Sequence, residues 1–260
     1  MLKISYTFFK LTIPPLLLSV NNNNNFRKRF KQFPFCHHYI NDTNAQNPPE
    51  SLKYFDYSHI NSSIQPNQSN QSNFSLDDFI ILPNHFTSLE QEFLLDQSLK
   101  KFKRILGKKV TYKDGHFDGV IHGYRECQST HWDDDKKMNE IFNKKIFSLF
   151  PENLRWLPVH LLELTNYGGI KAHIDNVEYS GNIVAGVCLM SSIVMRLRHI
   201  NNPQFYFDAL LEPGCLYIQR DSIRYNFTHE IPANPTEHKF KGNIIPKLHR
   251  ISLMFRNLKE

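Results

Sequence analysis

After Pro151 the chain breaks into short β-branched and aromatic runs separated by turn residues: "VHLLELTNY", "NIVAGVCLM", "SIVMRLRH", "CLYIQ", "IRYNFTHEI" and "RISLMFR". Runs this short read as strands, and their close spacing predicts an antiparallel β-sandwich or barrel. Two helices lead into them. "TSLEQEFLLDQSLKKFKRILG" sets Ser88 three residues before Gln91, a capping-box spacing, steps Leu95, Leu99, Phe102 and Leu106 along one face, and closes at Gly107. "DDKKMNEIFNKKIFSLFP" aligns Met138, Ile141, Phe142, Ile146 and Leu149 and stops at Pro151. Together these elements predict a mainly β fold, a double-stranded β-helix (jelly roll) with supporting α-helices on one side.

Everything before residue 74 has a different texture. Residues 42–73 are rich in Asn, Ser, Gln and Pro, with too little apolar surface to offset their ordering entropy, and read as a disordered linker. The folded domain is expected over residues 74–260. Residues 1–41 hold Lys3, Lys10, Arg27, Lys28, Arg29 and Lys31 and no acidic residue, so they account for the whole formal charge of +6. From residue 74 on, 24 basic residues face 22 acidic ones, which does not forecast general phosphate binding.

That acid-free leader with hydroxyl and aromatic residues reads as a mitochondrial targeting segment, with the matrix as destination. Its apolar run is interrupted by Lys10 and Pro14-Pro15, so no stable membrane insertion is expected. The basic cluster also follows the apolar run, the reverse of a secretory signal. Cys36, Cys127, Cys188 and Cys215 form no C-x-x-C pair and suggest neither a zinc knuckle nor a disulfide framework.

The chemistry gathers in "KAHIDNVEYSG". His173 and Asp175 are two apart, so on an extended segment they share a face. His229 in "NFTHEI" offers a third ligand from a separate strand. Two imidazoles and one carboxylate form the facial triad of non-haem Fe(II) oxygenases. His116 and Asp118 repeat the H-x-D spacing, but the later copy lies among the strands and precedes a distal His and two arginines. Arg250 and Arg256 in "HRISLMFR", six residues apart, also share a strand face, roughly 20 Å apart along a straight strand. A dicarboxylate cosubstrate calls for arginine forks of this kind, and the Tyr217 phenol is a further donor to it.

These residues, in this order, resemble the AlkB family of Fe(II)- and 2-oxoglutarate-dependent dioxygenases. The stretches "HIDNVEYSGNIVAGVCLMSSIVMRLRH", "LLEPGCLYIQRDSIRYNFTHEI" and "IPKLHRISLMFR", with "IHGYRE" upstream, are most similar to its mitochondrial subfamily, the seventh in the animal naming. The resemblance covers most of residues 78–258. It implies catalytic iron ligands His173, Asp175 and His229, and 2-oxoglutarate contacts from Tyr217, Arg250 and Arg256. Ser252 stands where many members have Asn and keeps a hydroxyl for the same carboxylate. The implied cofactor is Fe(II), with 2-oxoglutarate as cosubstrate and O2 as oxidant. The implied reaction releases succinate and CO2 while oxidising a C–H bond.

The substrate expected is a protein or small molecule tied to mitochondrial metabolism or regulated cell death, because the subfamily lacks the lid with which nucleic-acid-repairing relatives grip a flipped base. The alternatives are an iron and 2-oxoglutarate sensor acting through partner docking, and a demethylase of tRNA or other RNA. His160, His199 and the His116/Asp118 pair read as structural or surface groups. Trp132 and Trp156 read as core anchors, and "KKFKR", residues 100–104, as a solvated helix face.

Overall fold

The computed structural model describes residues 49–60, 74–115 and 119–259. The proposed leader, most of the Asn-rich stretch, and the His116/Asp118 pair lie outside these residues.

The longest strand organises the sheet. β4 (Val159–His173) pairs along one edge with β3 (Ile121–Ser129). On its other edge the first half pairs with β12 (Arg250–Leu258), with Leu162 opposite Ser252, and the second half pairs with β9 (Phe227–Ile231), with His173 opposite His229. One strand therefore serves both sides of the roll. From β12 the sheet continues through β5 (Ser180–Leu189) and β8 (Leu216–Arg220) to β2 (Phe79–Leu82), and from β9 through β6 (Ile193–His199) and β7 (Tyr206–Leu211) to β1 (Phe55–Asp56). All these pairings are antiparallel. The short strands β10 (Lys239–Phe240) and β11 (Asn243–Ile244) pair separately.

Strand alternation sorts the side chains into two apolar layers. Ile251, Leu253 and Phe255 of β12, with Ala185 and Val187 of β5 and Leu216 and Ile218 of β8, face the helices α1 (Ser88–Leu106) and α2 (Asp135–Lys145). The opposite faces look into the roll, where Tyr217, Cys188 and Met254 meet Phe79, Ile81, Leu197 and Phe207. The jelly roll with helices on one side is therefore present, and α2 buries the predicted Met138, Ile141 and Phe142.

Three local features differ from the sequence expectations. The capping box of α1 is one residue earlier: the Thr87 hydroxyl accepts from Glu90 N, and Glu90 accepts from Thr87 N at 2.8 Å. Its buried stripe is Leu94, Ser98, Lys101 and Phe102, while Leu99 and Leu106 are exposed; Ser98 is admitted because its hydroxyl donates to Leu94 O at 2.7 Å. "IRYN" is not strand but the end of a helical turn, α3 (Asp221–Asn226), anchored from outside its own segment by Ser222 N and Oγ donating to Asp78 at 3.0 and 2.5 Å.

The ordered chain also reaches upstream of Phe74, into the stretch read as linker. Phe55 pairs with Ala209 and Asp56 with Asp208, and Ser51, Tyr54, Phe55 and Asp56 are buried. The Asp56 carboxylate accepts from Ser58 N and Lys241 N at 3.0 and 2.9 Å. A few apolar residues inside a polar stretch are enough to add an edge strand, and composition averaged over the stretch conceals them.

Phe255 is 1% exposed and packs edge-on against Phe142 with ring centroids 5.0 Å apart. Phe255→Ala is expected to cost about 3–5 kcal/mol in a urea unfolding titration, by opening a cavity between β12 and α2.

Candidate metal centre

His173 is the last residue of β4 and His229 the middle residue of β9, and the two are direct cross-strand partners. Opposite residues of an antiparallel pair hold their Cβ atoms about 5 Å apart, and here the imidazole centroids are 4.3 Å apart. Asp175 follows two residues beyond His173, where the chain leaves the strand, and its Oδ1 lies 3.8 Å from His173 Nε2. One ligand atom from each of His173, Asp175 and His229 falls within 4.8 Å of the others. The structure thus brings together the three residues that the sequence nominated.

The protonation states suit a cation. His173 Nδ1 donates to Lys171 O at 2.9 Å, which leaves Nε2 as the acceptor beside Asp175. Burial, aided by neighbouring His173, pushes His229 down to about 3, so its imidazole is neutral at physiological pH. Burial by itself would raise the Asp175 carboxyl, but the charge and hydrogen bonds of Arg256, together with the two neighbouring imidazoles, outweigh it and hold the group well below the usual carboxylate range. Arg256 grips both carboxylate oxygens, Nε to Oδ2 at 3.1 Å and Nη2 to Oδ1 at 3.2 Å.

The triad opens onto a cavity of about 390 Å³. Apart from the ligands, Arg256, Glu126, His160 and Asn176, its walls are aliphatic, including Val120, Ile121, Leu162 and Ile170. No Phe, Tyr or Trp among the described residues lines it.

The inward row of β12 runs Arg250, Ser252, Met254, Arg256. Met254 and Arg256 line the cavity. Arg250 and Ser252 lie farther along the strand, 2% and 0% exposed. Arg250 Nε donates to Cys188 Sγ at 3.5 Å, while Arg250 Nη2 and Ser252 Oγ are buried without a hydrogen-bond partner among the described residues. Tyr217 is buried across the sheet and registers against Gly186. A side chain at Gly186 would collide with the Tyr217 ring, so glycine is what lets the phenol lie over β5.

Sequence reasoning missed two groups of residues here. Arg224 of α3, 2% exposed, donates to Asp175 O, Asn176 O and Ser180 Oγ at 3.1, 3.4 and 2.8 Å, and so ties down the turn that carries the carboxylate ligand. Its only sequence signal is its position five residues before His229. His160, read as structural or surface, contacts Arg256 at 3.2 Å and Glu126 at 2.9 Å. The other residues set aside lie outside the centre: His199 accepts from Asn202 N at 3.1 Å and abuts Phe227, and Trp132 is core. Of "KKFKR", Lys101 is buried near the Trp132 ring, and the solvated face is limited to its neighbours.

No protein-family model matches the chain. Among curated proteins it is 37% identical over 185 residues to a mouse protein named alpha-ketoglutarate-dependent dioxygenase alkB homolog 7, mitochondrial, covering 71% of this chain and 80% of that one. The cattle protein of the same name is 35% identical over 182 residues, covering 70% and 79%. Among solved structures, that of OsALKBH1 superposes with a TM-score of 0.50 at 15% identity, over 73% of this chain and 100% of the other, a likeness of fold.

Arg224→Met is expected to speed amide hydrogen exchange across residues 176–180 while leaving exchange in β12 unchanged, since it removes the three bonds that fix this turn. Unaltered exchange in the turn would show that Arg224 does not hold it.

Proposed function

The chain belongs to the alkB homolog 7 family of 2-oxoglutarate-dependent dioxygenases, and from that premise we propose that its iron is held by His173, Asp175 and His229 and its cosubstrate by Tyr217, Arg250 and Ser252, with Arg256 beside them. The family uses Fe(II), 2-oxoglutarate and O2. When bound, the metal supplies the redox chemistry that couples decarboxylation of 2-oxoglutarate, giving succinate and CO2, to oxidation of a substrate C–H bond.

The observation that carries the reading is the convergence of two imidazoles and one carboxylate within 4.8 Å on the rim of one cavity. Their states support it, because a neutral imidazole and an ionised carboxylate bind a cation without first losing a proton. The buried, unpartnered Arg250 Nη2 and Ser252 Oγ suit a carboxylate acceptor. Tyr217 presents its phenol from β8, across β5. Arg256 already faces Asp175, and its part is to keep that ligand charged while remaining within reach of the cosubstrate end nearest the metal.

The chain's own contribution is to orient the reactants and keep water from the reacting centre. The walls favour an aliphatic C–H donor from a protein side chain or a small molecule. The near-neutral charge from residue 74 on lacks the electrostatic footprint of a nucleic-acid-binding domain, which makes RNA the less favoured substrate.

Both curated relatives are named as mitochondrial. We place this chain in the matrix, with residues 1–41 as its targeting leader and residues 74–260 as the main body of the dioxygenase domain. No helix among the described residues is long and apolar enough to cross a membrane.

Anaerobic titration of the purified full chain with Fe(II) and 2-oxoglutarate is expected to give the visible charge-transfer band of the chelated pair. The band should be absent in Asp175→Ala and should decay with succinate release when air is admitted. A well-folded wild-type protein without the band would refute the site. A tagged chain lacking residues 1–41 is expected to stay out of mitochondria with its purified activity unchanged; imaging it in the organelle would refute the leader assignment.

A further inference from the structure

We propose that His160, backed by Glu126, is a positioning residue for the carboxylate ligand, holding Arg256 so that Asp175 is presented to the metal; this rests on the triad being the iron site.

The geometry fixes both the direction of the hydrogen bonds and the tautomer. Arginine is always a donor, so the contact at 3.2 Å makes Arg256 Nη1 the donor and His160 Nδ1 the acceptor. A neutral His160 must then carry its proton on Nε2 and donate it to Glu126 Oε2, 2.9 Å away. The chain of bonds crosses four segments: Glu126 on β3, His160 on β4, Arg256 on β12, and Asp175 in the turn after β4. Lys113, with its Nζ 3.9 Å from the Glu126 carboxylate, adds weak ionic support at the outer end.

Packing does not hold this ridge. His160, Asp175 and Arg256 line the metal-facing cavity of about 390 Å³ and also a second cavity of about 260 Å³ that includes Gln128, Leu157 and Tyr179. A guanidinium with open space on two sides is held in place by its hydrogen bonds. Arg256 now spends two of these on the two oxygens of Asp175. A metal ion drawing on that carboxylate competes for the same oxygens. The bond to His160 keeps the guanidinium in one place while the carboxylate is shared. Without it Arg256 is free to follow the carboxylate and oppose the metal. Residues that orient metal ligands from behind typically contribute 10–100-fold in affinity.

The test is the same anaerobic Fe(II) titration of the full chain at saturating 2-oxoglutarate, with melting followed in parallel. His160→Leu is expected to need about tenfold more Fe(II) for half-saturation of the band while melting like wild type. His160→Asn, whose Oδ1 can replace Nδ1 as the acceptor for Arg256, is expected to recover most of that loss. Wild-type half-saturation in His160→Leu would overturn the proposal, as would equal losses in the Leu and Asn variants. Should His160→Leu fail to fold, His160→Gln takes its place: its amide reaches toward Glu126 rather than Arg256, so it should bind Fe(II) more weakly than His160→Asn, and the opposite order would overturn the proposal. A wild-type protein without any band would overturn the iron site itself, whereas a wild-type band with an unaffected His160→Leu would overturn the positioning role alone.

Discussion

Strand β12 is hydrogen-bonded on both edges, to β4 and to β5, and that leaves its side chains only two directions. One direction is committed to Ile251, Leu253 and Phe255, which weld the sheet to the helices. The other carries Arg250, Ser252, Met254 and Arg256 into the roll. A one-residue slip would exchange these sets, placing arginines against Phe142 and phenylalanine in the site, so the apolar layer enforces the register of the polar one. The same logic operates on β8, where Leu216 and Ile218 face the helices and Tyr217 faces inward.

The register of β4 does the comparable work for the proposed metal ligands. Because β4 pairs with β12 over its first half and with β9 over its second, its end falls opposite His229. Fifty-five residues lie between His173 and His229, yet the cross-strand pairing makes them neighbours without help from any loop. The loop supplies only Asp175, and the fold secures it twice: Arg224 takes its backbone and Arg256 its carboxylate. Backbone and side chain are thus held by different elements, α3 and β12, which restricts the carboxylate more than either contact alone.

The sequence disclosed the alternating strands, the H-x-D pair and the paired arginines because each depends on spacing within a single element. It did not disclose what depends on contacts between elements. "IRYN" carries no local signal for a helical turn, which is set by Asp78 far upstream. Phe55 sits with Tyr54 and Tyr57 in an otherwise polar tract, and its burial follows from an edge strand made available by β7. On α1 the spacing pointed to the stripe containing Leu99 and Leu106, whereas the face actually buried contains Ser98 and Lys101. His160 looked unremarkable in "VHLLEL" because its partners come from two other strands.

The buried cations of the roll differ in how far they are satisfied, and this difference points to where a ligand belongs. Removing a guanidinium from water is costly unless charge and hydrogen bonds replace the lost hydration. Arg256 has a carboxylate, and Arg224 has two carbonyls and a hydroxyl, although its Nε finds no partner among the described residues. Arg250, equally buried, has the soft sulfur of Cys188 at Nε and no partner at Nη2. Burial opposes its charge, but the neighbouring Cys188 thiol and Tyr217 phenol more than offset that opposition, so Arg250 stays firmly charged. An anionic cosubstrate would supply the acceptor that Arg250 Nη2 lacks among the described residues, and so would offset part of the cost of keeping this guanidinium inside.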